Sequence, residues 1–471
     1  MTNSPKHIEI EEEILKRIGL IADELEVEAY LVGGYVRDKL LGNDVKDIDI
    51  VVIGDGIAFA KQVAKKIKQN NVVTYEKFGT AMLPLKEGKI EFVGAREESY
   101  ERDSRKPLVK SASLESDLSR RDFTVNTLAA SINREKFGEV TDPYNGKSDL
   151  KNKILRTPLE PEKTFDDDPL RMMRAIRFAS QLHFIIEPRV HKTIQELASR
   201  ISIVSMERIS DEFFKILASP KPSIGLKLFY ETGLAKYLFP ELVEMSGIDQ
   251  RKDYHHKDVF LHTMKVVDSL SRYTGNVWLR FAGLVHDIAK PRTKAFKEGT
   301  GWTFHGHEEV GARMMKPIFR RMRLPMDKLE YVEKLVRLHL RPMVLVSEEV
   351  TDSAIRRVMF EASEEIDDLM LLCRADITSQ NPQRVARYLK NYDIVIEKMK
   401  EVEAKDRIRN WQPPVRGDEI MEICALKPGP VVGVLKKKIE DAIIDGDIPN
   451  EHDAALAYLL SIKDQILKQY S

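Results

Sequence analysis

The chain has 471 residues, of which 42% are hydrophobic and 32% charged, a composition that excludes disordered and fibrous proteins. Its 75 basic and 75 acidic side chains balance, so a nucleic-acid partner would have to be held by a local basic surface. Apolar runs fall short of the ~18 residues of a membrane span, the N-terminus has no signal core, and two cysteines are too few for a disulfide framework, so we expect a cytoplasmic protein without a membrane partner.

The first 145 residues mix strand and helix patterns. Apolar residues at helical spacing predict a helix over about 8–29. The short apolar run Ala29–Val32 predicts a strand that ends in a glycine pair. The elements predicted after it are a helix at Val36–Leu41, closed by Gly42, and strands at Asp47–Ile53, Met82–Leu85 and Ile90–Val93.

Strand signals stop after about Tyr144, and from Pro169 onward the pattern is a series of helices with prolines at the breaks. This shift predicts an α+β fold, in which a head with a small mixed sheet and helices precedes an all-α remainder. The predicted domains are a head (1–145), a helical neck (146–218), a helical body (219–400) and a helical tail (401–471).

Asp47 and Asp49 lie two residues apart on a predicted strand, so both carboxylates face the same side of it. Paired carboxylates suit Mg²⁺, which binds proteins through one or two of them together with substrate phosphates. Glu91 on a later strand would add a third carboxylate, and the three would form the catalytic centre of a two-metal site. Asp-x-Asp alone also fits an exposed strand, but the motif just upstream favours the metal site.

That upstream motif supplies groups for phosphate binding. Gly33 and Gly34 lack Cβ atoms and let a triphosphate approach the backbone closely. Arg37 can donate two parallel hydrogen bonds to phosphate oxygens. Further along the chain, Arg121 suits a phosphate or ribose contact and Asn126 a sugar hydroxyl, although paired arginines alone are also typical of a solvated surface.

Asp168 and Arg171 flank the start of a predicted helix and are three residues apart, so both can face one ligand. Cytosine and adenine present an amino donor beside a ring-nitrogen acceptor, whereas uracil and guanine present the reverse. An aspartate acceptor beside an arginine donor would therefore accept C and A. The motif alone also fits an N-capped helix with an ion pair.

These three motifs, in this order, resemble the polymerase-β-like nucleotidyltransferases of the class II tRNA nucleotidyltransferase (CCA-adding enzyme) and bacterial poly(A) polymerase family, from about Tyr30 to Ser219. The resemblance implies a polymerase-β-like head in which Asp47 and Asp49 bind catalytic Mg²⁺. It implies that the incoming nucleotide is contacted by Gly34, Arg37 and Arg121. It also implies an amino-acid template that selects CTP and then ATP, made of Asp168, Arg171, Arg174 and Arg177.

The template departs from the family pattern in one position, because the family opens it with Glu-Asp where this chain has Asp167-Asp168. The base-reading aspartate is retained, so we expect the selection of CTP and ATP to be retained as well.

Histidines concentrate between His255 and His339. Imidazoles and carboxylates on facing helices make a divalent-metal site of mixed nitrogen and oxygen ligands, predicted here from His262, His286, Asp287 and Asp376. Three more histidines could add ligands or bind phosphate: His305, His307 and His339. The spacing and the run Leu284–Lys290 resemble HD-domain phosphohydrolases, which implies a second divalent transition metal and hydrolysis of phosphate esters.

The leading hypothesis is the untemplated addition of CCA to tRNA 3′ ends with Mg²⁺, CTP and ATP. A-only addition, either to tRNA or as poly(A) synthesis, is the alternative within the same chemistry. The polar stretch Glu98–Leu118 resembles the flexible loop that the family uses to switch from C to A, which disfavours a C-only enzyme.

Two hypotheses come from other classes. One is an HD-type phosphohydrolase whose head only binds nucleotides, which the intact Asp47, Asp49 and Arg121 disfavour. The other is a pure RNA-binding module, which we disfavour because the sequence shows no aromatic and basic platform for a single strand.

Overall fold

The computed structural model describes residues 6–45, 47–69, 71–76, 79–85, 88–99, 108–248, 258–299, 301–347, 351–378, 381–406 and 413–470. The chain divides into two compact units, Met1–Pro240 and Glu241–Ser471. The finer division into head, neck, body and tail stays a prediction. Among the helices of the described residues, none combines the length and the apolar character needed to cross a membrane.

The first unit contains a seven-stranded mixed sheet in the order β3-β4-β5-β2-β1-β8-β9. Strands β2 and β5 pair in parallel, and the other neighbours in the sheet are antiparallel. The strands of the head region are β1 (Ala29–Val32), β2 (Asp47–Val52), β3 (Val73–Tyr75), β4 (Thr80–Pro84), β5 (Lys89–Gly94), β6 (Arg96–Ser99), β7 (Leu108–Ser111), β8 (Ala129–Ser131) and β9 (Val140–Thr141). The predicted mixed sheet is confirmed.

Helices cover this sheet and make up the rest of the first unit. They are α1 (Glu13–Glu24), α2 (Gly34–Leu41), α3 (Gly56–Ile67), α4 (Leu114–Ser119), α5 (Gly146–Asn152), α6 (Pro161–Asp167), α7 (Leu170–Leu182), α8 (Pro188–Leu197), α9 (Met206–Leu217), α10 (Pro222–Glu231) and α11 (Leu234–Leu238). The helix predicted over 8–29 is shorter than expected, because residues 8–12 are extended and β1 already begins at Ala29.

The second unit is mostly helical. Its helices are α12 (Pro240–Glu244), α13 (Val259–Tyr273), α14 (Val277–Val285), α15 (Lys290–Thr293), α16 (His307–Arg321), α17 (Leu329–Leu338), α18 (Arg341–Ser347), α19 (Asp352–Ala362), α20 (Ile366–Asp376), α21 (Pro382–Asp406), α22 (Gly417–Cys424), α23 (Pro430–Asp445) and α24 (His452–Tyr470). The prediction of a helical remainder is confirmed in its main feature.

Two strand pairs correct the expectation that strands end near Tyr144. A parallel pair joins β10 (Ile154–Leu155) to β11 (Ile185–Ile186) in the first unit. An antiparallel hairpin joins β12 (Ala295–Lys297) to β13 (Gly301–Thr303) in the second. Strands of two or three residues are too short to show the alternation by which a strand is recognised in a sequence.

The structure also corrects the prediction of a flexible loop over Glu98–Leu118, because the two ends of this stretch have regular secondary structure. Strands β6 and β7 pair there as an antiparallel ladder, and α4 begins at Leu114. Residues 100–107, between the two strands, lie outside the described residues.

Candidate active site and metal centre

The pairing of β2 with β5 brings the predicted catalytic carboxylates onto neighbouring strands. Asp49 is in register with Glu91, and Asp47 with Lys89. Because paired residues of neighbouring strands point to the same face, the three carboxylates share one side of the sheet. Burial, with the charges of Glu91 and Asp47 adding to it, raises the pKa of Asp49 above its ordinary value. Strands β2 and β5 therefore place several negative charges close together at a half-buried position, where a bound cation would be stabilising.

These carboxylates fit a Mg²⁺ ion whose remaining ligands would come from the substrate. Hard carboxylate oxygens are the appropriate donors, and Mg²⁺ takes one or two of them plus phosphate oxygens. Among the described residues, two groups of three side chains bring their ligand atoms within 4.8 Å of one another, and neither group contains Asp47, Asp49 or Glu91. The ammonium of Lys89 instead bonds to Glu91. Sequence reasoning missed Lys89, although its position two residues before Glu91 places it on the same face.

The turn before α2 lies beside the arginine predicted to hold phosphate. Gly33 has φ +66°, a conformation that side chains with a Cβ rarely adopt. A Cβ at this position would also lie 3.0 Å from Nη1 of Arg121. The carboxylate of Asp117, which has no exposed surface, holds Arg121 at 3.2 Å and Arg120 at 2.6 Å. The glycine turn and the guanidinium of Arg121 are therefore direct neighbours.

A chain of hydrogen bonds runs from this phosphate-binding side to helix α7. Nη1 of Arg37 donates to Oδ1 of Asn126 at 2.8 Å, and Nδ2 of Asn126 donates to Oδ1 of Asp122 at 2.9 Å. Nε of Arg174 donates to Oδ2 of Asp122 at 2.8 Å. Burial alone would raise the pKa of Asp122, but Arg174 and Asn126 hold the pKa at about 2. An ionised, buried carboxylate therefore holds Arg174 directly and Arg37 through Asn126, while Asp38 accepts from Nε and Nη2 of Arg37 at 2.9 and 2.7 Å.

Asn126 is only 5% exposed, and both ends of its amide are engaged in this chain of hydrogen bonds. Its predicted contact with a sugar hydroxyl stays a prediction. The geometry shows that the side chain orients Arg37.

Three arginines surround the ring of Phe178. The guanidinium carbons of Arg37, Arg174 and Arg177 lie 5.2, 5.5 and 4.3 Å from its centroid. Phe178 is 6% exposed and packs edge-on against Phe123. The negative face of an aromatic ring attracts a cation, so Phe178 holds together charges that would otherwise repel one another.

We expect Phe178→Leu to raise the KM for CTP and ATP about tenfold, because leucine fills the space but offers no ring face to the three arginines, each contact being worth ~0.5–1 kcal/mol. Steady-state kinetics with each nucleotide measures this. Phe165→Leu, the same change at a ring with no exposed surface in α6, is the control and should leave the KM unchanged. An equal effect of the two substitutions would show that packing alone matters.

The start of α7 holds the predicted base-reading residues. Oδ1 of Asp168 accepts the N–H of Leu170 at 3.1 Å, as a helix cap does. The guanidinium of Arg171 donates to the main-chain carbonyls of Thr164 and Arg120. Two of its five N–H groups are engaged in this way, so others remain for a base.

Helix α9 contacts the predicted template through two ion pairs. Sequence reasoning missed these contacts. Nη2 of Arg208 lies 3.8 Å from Asp168, and Glu212 holds Nε of Arg177 at 3.0 Å. Arg208 and Glu212 are four residues apart and therefore share one face of α9. The charges at this spacing are the sequence signal that could have revealed this role.

In the second unit, the predicted metal ligands lie at or near the ends of helices. His286 follows the last residue of α14, His307 opens α16, His339 follows α17 and Asp376 ends α20. His262 lies in the first turn of α13. Helices that meet at their ends can aim side chains from five separate elements at one point.

Each histidine of this cluster is oriented by a bond to its Nδ1 atom. His286, His307 and His339 each pair through Nδ1 with the main-chain carbonyl three residues earlier, at 2.8, 2.7 and 2.6 Å. The Nδ1 atom of His262 pairs with the hydroxyl of Thr378 at 2.9 Å. A neutral imidazole that donates through Nδ1 presents its Nε2 lone pair as a metal ligand.

The Nε2 atoms point at the carboxylates of Asp287 and Asp376. Oδ2 of Asp287 lies 3.6 and 3.2 Å from Nε2 of His262 and His286, and Oδ1 lies 3.3 Å from Nε2 of His307. Two groups of potential ligands result: His262, His286 and Asp376 in one, and Asp287, His307 and His339 in the other. Asp287 therefore has one oxygen on each side, as a bridging carboxylate would.

The chemistry of this donor set fits a divalent transition metal. Nε2 of His286 is buried and makes no hydrogen bond with any described residue, which suits a metal ligand. Burial lowers the pKa of His339 to about 3, so its imidazole is neutral at pH 7. His305 is exposed and belongs to neither group. Of the three additional histidines considered from the sequence, the structure brings His307 and His339 into the cluster.

Three family profiles match the chain. They are the poly A polymerase head domain over residues 29–156, the probable RNA and SrmB- binding site of polymerase A over 183–245, and the HD domain over 259–381. Together they cover both the sheet with its carboxylates and the histidine cluster.

Relatives match over most of the chain. The A-adding tRNA nucleotidyltransferase of Deinococcus radiodurans is 32% identical over 439 residues, which are 90% of this chain and 94% of that protein. The multifunctional CCA protein of Xanthomonas campestris pv. campestris is 32% identical over 367 residues, which are 74% of this chain and 85% of that protein.

Solved structures show the same fold. The Bacillus stearothermophilus CCA-adding enzyme in complex with CTP has a TM-score of 0.68 at 24% identity, with 97% of this chain and 100% of that chain covered. The Thermotoga maritima CCA-adding enzyme complexed with tRNA has a TM-score of 0.58 at 23% identity, with 97% and 95% covered.

Proposed function

We infer the reaction of this chain from the family to which it belongs, the tRNA nucleotidyltransferases: its first unit adds C from CTP and then A from ATP to the 3′ end of tRNA, without a nucleic-acid template. The observation that carries this proposal is the hydrogen-bond chain from Arg37 through Asn126 and Asp122 to Arg174. It ties the phosphate-binding turn to the helix that carries the predicted template, so one nucleotide can be held at both ends.

In this mechanism Arg37 and Arg121 hold the triphosphate against the turn at Gly33, where the missing Cβ leaves room for it. Asp47, Asp49 and Glu91 would hold Mg²⁺, which supplies activation of the tRNA 3′-hydroxyl and charge neutralisation at the leaving pyrophosphate. The hydroxyl releases its proton to water as its oxygen forms the new bond to the α-phosphorus, and the bond from that phosphorus to pyrophosphate breaks. Positioning and charge compensation are what the protein contributes to such a transfer.

Base selection rests on Asp168 with the arginines of α7. The carboxylate of Asp168 accepts a hydrogen bond from the amino group of cytosine or adenine, and Arg171 donates to the neighbouring ring nitrogen. Uracil and guanine would place a carbonyl oxygen against the carboxylate. Glu212 and Asp122, which hold Arg177 and Arg174, keep the template rigid.

We expect Asp168→Ala to lower the preference for CTP and ATP over UTP and GTP by about ten- to a hundredfold, since a lost base contact costs ~1–3 kcal/mol of discrimination. Incorporation from mixtures of the four nucleotides measures this. Asp168→Asn is the control for the helix cap, because asparagine also caps helices. If the alanine variant selects nucleotides as the wild type does, Asp168 serves the helix and not the base.

A-only addition is the second candidate, because the relative that covers 90% of this chain is named an A-adding enzyme. Two tRNAs distinguish the candidates, one without any of the CCA end and one without only the final A. Each is incubated with a single labelled nucleotide. Our proposal predicts that CTP labels the first tRNA and ATP the second, whereas an A-only enzyme would leave the first unlabelled by CTP.

For the second unit we extend the proposal to a divalent transition metal and hydrolysis of phosphate esters or 2′,3′-cyclic phosphates. The support is the set of four oriented imidazoles around Asp287 and Asp376. These residues would hold the divalent metal, which would supply polarisation of a phosphoryl oxygen and activation of a water molecule.

A further inference from the structure

The hairpin β12–β13 carries two large aromatic side chains on its surface. Phe296 is 55% exposed and Trp302 is 38% exposed. They are direct partners across the ladder, so both lie on the same face of the hairpin. Their rings meet edge to face with centroids 5.2 Å apart. Burying such rings would be favourable, so their exposure on a short hairpin points to a ligand.

One lysine packs against this aromatic pair. The ammonium of Lys294 lies over the ring of Trp302, 4.4 Å from its centroid. Lys297, the residue after Phe296 in strand β12, lies on the opposite face of the hairpin. Glu298 is the one carboxylate in the run from Lys294 to Phe304. Aromatic rings beside a basic side chain suit a ligand that has both flat bases and negative phosphates.

The hairpin connects to the metal cluster at both of its ends. On one side Lys290, in α15, donates to Oδ2 of Asp287 at 2.7 Å and lies 5.8 Å from the ring centroid of Phe304. On the other side the carbonyl of Phe304 accepts from Nδ1 of His307. Trp302 is five residues before His307, so their Cα atoms are at most ~18 Å apart. A strand held at the hairpin would therefore lie near the cluster.

We propose that Phe296 and Trp302 form a stacking platform for an unpaired base of a single-stranded RNA, with Lys294 beside its phosphate. This site is separate from the nucleotide site of the first unit. The platform does not depend on hydrolysis at the cluster, because it concerns binding alone.

Photo-crosslinking on the full chain locates the site directly. A short single-stranded RNA with a blocked 3′ end and an internal 5-iodouridine is irradiated with the protein, and the crosslinked peptide is identified by mass spectrometry. We expect the crosslink at Trp302 or Phe296. Crosslinks confined to other segments would overturn the proposal.

Affinity for the same RNA gives the second test. The double variant Phe296→Ala/Trp302→Ala should bind roughly 5- to 100-fold more weakly, the loss expected for one or two stacked bases. Trp302→Phe keeps a ring face and should bind nearly as the wild type does. Lys294→Ala should reduce the dependence of binding on salt by ~0.7 in the logarithmic slope, as one lost phosphate contact does, whereas Lys297→Ala, on the opposite face of the hairpin, should leave that slope unchanged.

Three results would contradict the platform or its ligand. One is wild-type affinity in the double variant, with its folding verified by circular dichroism. Another is equal weakening by Trp302→Phe, which would show that the residue serves the fold. The third is competition by free CMP or AMP at the same concentration as the RNA, which would make the ligand a free nucleotide and not a strand.

Discussion

Replacing Asp49 by alanine is expected to abolish the addition of C and A alike while the first unit stays folded. Asp49 lies beside Glu91 on the neighbouring strand and two residues from Asp47, and burial together with these charges raises the pKa of Asp49. Removing the carboxylate relieves repulsion in the fold but removes a proposed central ligand for Mg²⁺. We expect the rate of both additions to fall at least about a hundredfold, which is ~2.7 kcal/mol or more of transition-state stabilisation.

A matched control comes from the residue that follows the same strand. Asp55 caps α3 by accepting the N–H groups of Ile57 and Ala58. Asp55→Ala should cost ~1 kcal/mol of stability through the lost cap and leave the rate unchanged. Single-turnover addition and thermal unfolding of both variants measure these effects. If Asp49→Ala kept more than about a tenth of the wild-type rate, a loss under ~1.4 kcal/mol, the assignment of the metal would be wrong.

Replacing His286 by alanine is expected to remove a bound transition metal and the hydrolysis of phosphate esters from the second unit. Nε2 of His286 lies 3.2 Å from Asp287 and 3.7 Å from Asp376, so it would serve a metal held by both carboxylates. Nucleotide addition should change little, because its predicted residues lie in the other compact unit. Elemental analysis of the purified protein, before and after treatment with a chelator, measures the metal.

His305→Ala is the control for this prediction, because His305 is exposed and outside both ligand groups. It should retain the metal and the hydrolysis. Two outcomes would count against the metal site. The first is a native protein that holds no stoichiometric ion besides Mg²⁺, which would show that the histidines are structural. Loss of nucleotide addition in His286→Ala would instead show that the two units share one site or fold as one.

Much of the first unit could be predicted because its chemistry lies in short runs of sequence. Asp47 and Asp49 are two residues apart on one strand, so strand geometry alone places them on one face. The glycine pair before α2 is equally local. The order of the histidines in the second unit pointed to the ligands His262, His286, Asp287 and Asp376, which the structure brings together.

What sequence reasoning missed depends on distant contacts. Asp117 holds Arg121 and Glu212 holds Arg177, and a single sequence does not show which acidic residue pairs with which arginine. The hairpin with Phe296 and Trp302 was overlooked because each of its strands has only three residues. Patterns of alternation need longer segments than this.

The central claim is that the protein itself, through α7 and its bracing residues, selects C and then A for the tRNA end. The most direct test is to incubate tRNA that lacks its CCA end with all four nucleotides at equal concentration and to sequence the 3′ ends. Our account predicts that the wild type adds C, C and A and then stops, whereas Asp168→Ala also adds U and G. Addition of A alone, or of U and G by the wild type, would contradict it.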